Sequence, residues 1–301
     1  MNENAKAEFW YRRAAAHGNV EAMVALSILY GRGNGVLKDQ GLAEEFLKQA
    51  AEAGDRSSQH SYALHLLNTR PATKNTLEEG EYWVTRASAG GHEESTEILK
   101  EIHQQKSQLQ EISMKANEGD LISMTRLGEL YEAGNKVVPA DLGQSRSWYL
   151  KAAEQGYRGA QHRLGLSFLN GDDSKESIRV GMAWLEKAAS NGEVVAFLDL
   201  GRLYYNGDKI NKDLSRSLGY FLKAGEQGNG AAQVNIGLQY YQGEGVLKDT
   251  AEAAKWFMKA AIAGEPLARS NLVHMHKNKE WTPEGRHKEL VLKWAEDGKD
   301  K

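Results

Sequence analysis

The chain of 301 residues has no cysteine, only 4 prolines and a formal net charge of −3. Without cysteine there is no disulfide framework, no thiol nucleophile and no cysteine-ligated metal or cluster. A charge so near zero, with a pI of about 6.3, lacks the electrostatic footprint of a nucleic-acid binder. No stretch approaches the ~20 apolar residues of a membrane-spanning helix, so no membrane insertion is expected. The opening MNENAKAEFWYRRAAAHG lacks the charged-then-apolar layout of a signal peptide. A soluble, cytoplasmic chain is therefore expected, or a periplasmic one if its start is a processed boundary. Proline is scarce, yet glycine is abundant: 31 residues, near one in ten against the usual ~7 %. High glycine with high proline would indicate collagen or a linker; high glycine alone needs another explanation. Apolar residues at 41 % and charged residues at 26 % supply a sizeable core and exclude wholesale disorder.

The explanation is a period. An aromatic, three residues, two small residues, two more and a glycine recur as WYRRAAAHG ending at Gly18, FLKQAAEAG at Gly54 and WVTRASAGG at Gly91. The phrase returns as WYLKAAEQG at Gly156, WLEKAASNG at Gly192, YFLKAGEQG at Gly228 and WFMKAAIAG at Gly264, with weaker forms at Gly119 and Gly298. Successive intervals are 36, 37, 28, 37, 36, 36, 36 and 34 residues, which is the mark of a repeat array.

Other positions keep phase. Small residues lie nine after the unit glycine (Ser27, Ala63, Gly128, Gly165, Gly201, Gly237) and eleven before the next (Ala43, Gly80, Ser145, Gly181, Ser217, Ala253). Fifteen before it stand helix-capping types: Asp39, Thr76, Asp141, Ser177, Asp213 and Asp249, whose side-chain oxygens can satisfy the free N–H groups of a first helical turn. Each unit thus reads as helix A, a loop, helix B and a short turn. Helix A, as in Gly230 to Gln242, ends at glycine or Asn-Gly (Asn170-Gly171, Asn206-Gly207), suited to a left-handed cap. A mid-helix glycine costs about 1 kcal/mol against alanine, so its recurrence in one phase implies close helix packing. No such unit buries its apolar face alone, so units must stack.

These residues resemble the Sel-like repeat (SLR) family, cysteine-free bacterial type, relatives of the tetratricopeptide repeats. The family pattern is A-x-x-x-L-G-x-x-Y-x-x-G-x-G-V-x-x-D followed by A-x-x-W-x-x-K-A-A-x-x-G. Ala232, Ile236, Gly237, Tyr240, Gly243, Gly245, Val246, Asp249, Ala253, Trp256, Ala260, Ala261 and Gly264 follow it. The resemblance implies an all-α fold, a right-handed α-α superhelix or solenoid of stacked helix-turn-helix repeats of about 36 residues, with helix A lining a concave face. The expected organisation is an N-terminal half repeat over 1–18, repeats 1 and 2 over 19–91, and a degenerate short repeat or joint over 92–119. Repeats 4 to 7 follow over 120–264 and a divergent capping repeat over 265–301. The 92–119 stretch admits a hinge, one continuous helix or a joint between stacks. Asn2 or Asn4 can cap the first helix.

The glycine loops GRGNGV and GEGVLKD have neither the Lys-Ser/Thr of a P-loop nor a preceding strand. His274/His276 and His60/His65 lack the i, i+4 spacing of a helical metal pair. No nucleophile elbow or Ser, His, acid set stands out. No catalytic residue, cofactor or metal is therefore expected. Trp10, Trp83, Trp148, Trp184 and Trp256 share one phase and are expected between helices, in the core; Trp281 has no phase.

If the tetratricopeptide register carries over, a groove is lined in the C-terminal units by Gly159, His162, Leu166 and Leu169, then Val195, Leu198, Arg202 and Tyr205, then Ala231, Val234, Leu238 and Tyr241. That surface is apolar and aromatic with few charges, suited to a peptide or helix; the competing reading is that some of these residues contact the next helix A. In the first half the same positions carry Glu21, Val24 and Ile28; Ser57, His60, Leu64 and Leu67; Ile122, Thr125, Glu129 and Glu132. They are more mixed, which places the main contact C-terminally.

The function implied is a non-enzymatic scaffold or adaptor, a monomer that binds a protein partner along the helix A face and takes no nucleic acid. The resemblance suggests bacterial signalling, envelope assembly or host contact. It also offers an alternative, an immunity or inhibitor protein that neutralises a toxin. A hydrolase is a further alternative, drawn from cysteine-rich relatives with a disulfide in each unit, none of which this chain has.

Overall fold

The computed structural model describes residues 3–297, and among these it holds sixteen helices and no strand. Contacts divide the chain into two compact units that meet between Trp148 and Tyr149. The first contains α1 (Glu3–Ala16), α2 (Val20–Arg32), α3 (Gln40–Glu52), α4 (Arg56–Asn68), α5 (Lys74–Ala89), α6 (Glu93–Asn117) and α7 (Leu121–Ala133). The boundary falls inside α8 (Leu142–Glu154). The second contains α9 (Arg158–Gly171), α10 (Lys175–Ser190), α11 (Val194–Asn206), α12 (Leu214–Glu226), α13 (Gly230–Gln242), α14 (Thr250–Ile262), α15 (Pro266–Lys277) and α16 (Arg286–Asp297). In each unit consecutive helices pack as neighbours, and the architecture is an all-α solenoid of A–B pairs.

The helix starts follow the capping logic with two corrections. Asp39, Asp141, Asp213 and Asp249 each accept the N–H three residues on at 2.9 Å. Thr76 and Ser177 are not the N-caps, although the Thr76 hydroxyl accepts the Thr73 N–H at 2.9 Å as the second half of a capping box. They sit three residues inside α5 and α10, and Thr73 and Ser174 take the cap instead at 3.1 Å. The loops before these helices, 69–73 and 172–174, are shorter than 207–213 and 243–249, so each helix B begins a turn earlier and runs 16 residues rather than 13. Gly171 is also not a left-handed cap. It is the last residue of α9, and the chain leaves through extended Asp172, whereas Gly207 has the expected positive φ of 75°. Asn4 lies inside α1, and Asn2 lies outside the described residues, as does Gly298. The 92–119 stretch is one 25-residue helix, α6, capped by His92.

The small positions meet as the period implies. A Cβ on Gly165 would lie 2.9 Å from the Gly181 carbonyl oxygen, and one on Gly181 would lie 2.8 Å from that of Gly165. The aromatic phase needs revision. Trp83 and Trp256 are buried, Trp148 and Trp184 are half-buried, and Trp10 is 61 % exposed. The deeper position is the next one along helix B: Val84, Tyr149, Leu185, Phe221 and Phe257 are all at most 1 % exposed. A lysine one turn on roofs the indole of half-buried Trp184 and of buried Trp256, Lys187 at 4.6 Å and Lys259 at 3.8 Å, a cation–π arrangement.

A buried glutamine joins successive repeats. The side-chain amides of Gln59, Gln161 and Gln233, all on helix A, donate to the carbonyls of Ala51, Ala153 and Gly225 at 2.9–3.0 Å. These carbonyls close the preceding helix B, beyond the reach of a regular i+4 donor, and each also accepts the N–H of the unit glycine at 3.1 Å. Gln161 also accepts from Asn191 at 2.8 Å. Replacing Gln161 by leucine should cost about 1–2 kcal/mol in urea unfolding, because it removes two hydrogen bonds, each worth about 0.5–1.5 kcal/mol, while the Ala153 carbonyl keeps the Gly156 N–H at 3.1 Å. A loss below about 0.5 kcal/mol would show that these bonds do not tie the repeats.

Candidate interaction face

Three A helices of the second unit, α9, α11 and α13, carry all twelve residues of the sequence-derived groove, ten of them with side chains larger than a methyl group. The structure sorts those residues into three groups. Leu169, Leu198 and Val234 are 1 %, 5 % and 5 % exposed. Leu169 packs with Leu185, Leu198 with Phe221 and Val234 with Phe257 in three separate core clusters. They offer no surface to a partner and leave the groove set. The register argument fails here because helix A turns these positions onto its own helix B and the next repeat.

His162 shares the phase of Leu198 and Val234, and it too faces the seam between repeats. Its Nε2 lies 2.7 Å from Asp199 Oδ2, with both side chains mostly covered. Asp199 also holds Arg202 at 3.6 Å, so a small His–Asp–Arg cluster joins α9 to α11.

The remaining residues are accessible. Val195 is 41 % exposed, Arg202 is exposed, and Leu166, Leu238, Tyr205 and Tyr241 are half-buried. The two tyrosines brace neighbouring repeats. Tyr205 donates its hydroxyl to Glu244 Oε2 at 2.8 Å, and Tyr241 donates to Glu280 Oε2 at 2.6 Å. Lys212 and Lys248 cover their rings at 5.2 and 5.4 Å. Donation to a carboxylate and, second, partial burial push both tyrosine pKa values up, so both remain neutral donors at ordinary pH.

The face is therefore more polar than composition along the helices suggests. Asp199, Glu244 and Glu280 were absent from the sequence-derived set. Glu244 and Glu280 both lie sixteen residues after a unit glycine, so extending the phase analysis into the loops would have found them. The accessible surface combines aliphatic side chains, two tyrosine rings and carboxylates. Such a surface binds by shape, apolar contact and hydrogen bonding. Among the described residues no helix is long and apolar enough to cross a membrane.

Comparison with known proteins agrees with this architecture. Among curated relatives, the chitin synthase regulator SKT5 of Saccharomyces cerevisiae is 29 % identical over 170 residues, covering 51 % of this chain and 24 % of that protein. Chitin synthase regulatory factor 3 of Schizosaccharomyces pombe is 28 % identical over 178 residues, covering 54 % and 19 %. The chain thus spans about a quarter or less of the length of these relatives. Among solved structures, c5321, a protective antigen of uropathogenic Escherichia coli displaying an SLR fold, is 24 % identical with a TM-score of 0.52, covering 95 % of this chain and 62 % of that one; this likeness concerns the fold. The Sel1 repeat model matches residues 3–19, 20–55, 121–157, 159–193, 198–229 and 230–265. With most of its length in matched repeats, each closed by its unit glycine, the chain belongs to the Sel1 repeat family.

Proposed function

We propose that this protein is a non-catalytic scaffold that holds a partner protein against the A-helix face of its second unit. The observation that carries the reading is the sorting of the four groove phases into buried seam residues and accessible residues. The accessible set recurs from α9 to α13 as Leu166, Val195, Arg202, Tyr205, Leu238 and Tyr241. Aromatic and aliphatic groups on a braced, rigid support are the material of binding hot spots, because little rotamer freedom remains to be lost on binding. The flanking Glu244 and Glu280 carboxylates suit a segment that adds basic groups to an apolar helix face. The regulatory role named for the two fungal relatives supports the same direction: a chain that acts on another protein rather than on a small substrate.

Val195→Asp with Arg202→Ala tests this on α11 without touching the core. Affinity capture from native cells should lose the principal partner by at least about tenfold, since hot-spot truncations cost upward of 2 kcal/mol. Far-UV circular dichroism of the variant should match the parent. Equal capture of every partner by the folded double variant would remove this face from the reading.

A further inference from the structure

The first unit contains a cluster that the interaction reading does not use. His60 on α4 is 9 % exposed, and it meets His92 and Glu94 at the start of α6. The two imidazole rings stack with centroids 4.2 Å apart. His60 Nε2 lies 3.3 Å from Glu94 Oε2. One ring nitrogen of each histidine and one carboxylate oxygen of Glu94 all lie within 4.8 Å of one another. We propose that His60, His92 and Glu94 bind a borderline divalent cation of the first transition row, zinc above all, and so clasp α4 to the N-terminus of α6.

The donor chemistry selects the cation. Two imidazoles and one carboxylate suit zinc and its neighbours, whereas magnesium and calcium prefer all-oxygen shells. The spacing fits as well. Two ligands about 2.1 Å from one tetrahedral ion stand about 3.4 Å apart, close to the 3.3 Å between His60 Nε2 and Glu94 Oε2. Ring rotation at His92 brings in the third donor and leaves a fourth position for water.

Buried Ser95 supplies an outer support. Its hydroxyl sits 2.9 Å from His60 Nδ1, which orients the ring and, with Nδ1 protonated, leaves the Nε2 lone pair facing Glu94; metal-bound histidines are held in this way. His92 is held more loosely than the other caps: its Nδ1 stands 3.3 Å from both the Ser95 N–H and the Ser95 hydroxyl, against 2.7–2.9 Å for the Asn19, Asp55, Asp120 and Asn229 caps. A helix N-terminus opposes a cation with about half a positive charge, and here Glu93 and Glu94 in the first turn of α6 offset it. The same phase three units later shows the contrast. His162 faces the single carboxylate Asp199, and no metal-binding set of three was found there among the described residues.

The test is a Zn²⁺ titration of the chelator-stripped protein by calorimetry, with Mg²⁺ as the control cation. The wild type should take up one equivalent of zinc and melt at a higher temperature with it. His92→Asn keeps a strong helix cap and removes the imidazole, and Glu94→Gln alters a side chain that is 78 % exposed, so both variants should fold. Each should weaken zinc binding at least about tenfold and abolish the zinc-dependent rise in melting temperature, and Mg²⁺ should have no effect. The absence of saturable zinc binding, or unchanged affinity in both variants, would overturn the site.

Discussion

Phe257→Ala is expected to destabilise the second unit by about 3–5 kcal/mol, the range for truncating a fully buried aromatic. Its ring is fully buried among Val234, Ala254, Leu272 and Met275. It also fills the notch left by Gly237, where a Cβ would lie 2.6 Å from the ring. Truncation therefore opens a cavity between α13 and α14 that neither backbone can close without breaking its own helix. Trp10→Ala is the matched control. Trp10 carries the tryptophan that makes the period visible, yet it is 61 % exposed, and its loss should change stability by less than about 0.5 kcal/mol. Urea unfolding of the two variants decides between the phases. In a stacked array stability is carried by neighbour contacts, so a large Phe257 effect should also lower the slope of the transition as the last repeats uncouple from the rest. Similar losses for Phe257→Ala and Trp10→Ala would place the core at the tryptophan position after all.

That contrast shows what the sequence made legible. Repeat length, helix pairing and the small-residue contacts were readable because each is a periodic demand of close packing: Gly165 and Gly181 meet for the same reason that they recur. The depth of a helix B residue was less readable. Tryptophan is the conspicuous letter, but an indole with a lysine above it can lean toward water, and its plainer neighbour fills the core. Helix starts failed at Thr76 and Ser177 because a threonine or serine three residues upstream was an equally good oxygen donor and the shorter loop selected it. The interaction face was half legible. A one-helix register identifies which side of α11 bears Val195 and Arg202. It does not show that the next repeat covers Leu198, or that Glu244 reaches back to Tyr205. The His60–His92–Glu94 cluster was invisible to spacing rules, because its members come from two helices that meet only through the fold.

Gly245→Ala should cost about 2–5 kcal/mol, and it should also disturb the interaction face from a distance. Gly245 has φ of 74°, where an L side chain costs roughly 1–2 kcal/mol. Its added Cβ would stand 2.4 Å from the carbonyl carbon of Leu214 and 2.5 Å from the carbonyl oxygen. Those are backbone atoms at the capped start of α12 and cannot swing aside as a side chain would; such overpacking typically adds 1–3 kcal/mol. The loop is held in that place by Ser215 donating to the Gly245 carbonyl at 3.1 Å, and by Gln239 donating to the carbonyls of Leu214 at 3.1 Å and Glu244 at 3.2 Å. Moving Gly245 moves Glu244, and Glu244 is what Tyr205 is braced against. Gly264→Ala separates the two contributions, since Gly264 has φ of 105° and nothing within 4 Å of an added Cβ. It should show the conformational cost alone and leave partner capture unchanged, whereas Gly245→Ala should lose both stability and part of the capture. Equal destabilisation by the two substitutions would mean that the close approach to Leu214 is not what holds the repeats in register. In that case the rigidity of the face would have to come from the helix seams and the buried glutamines instead.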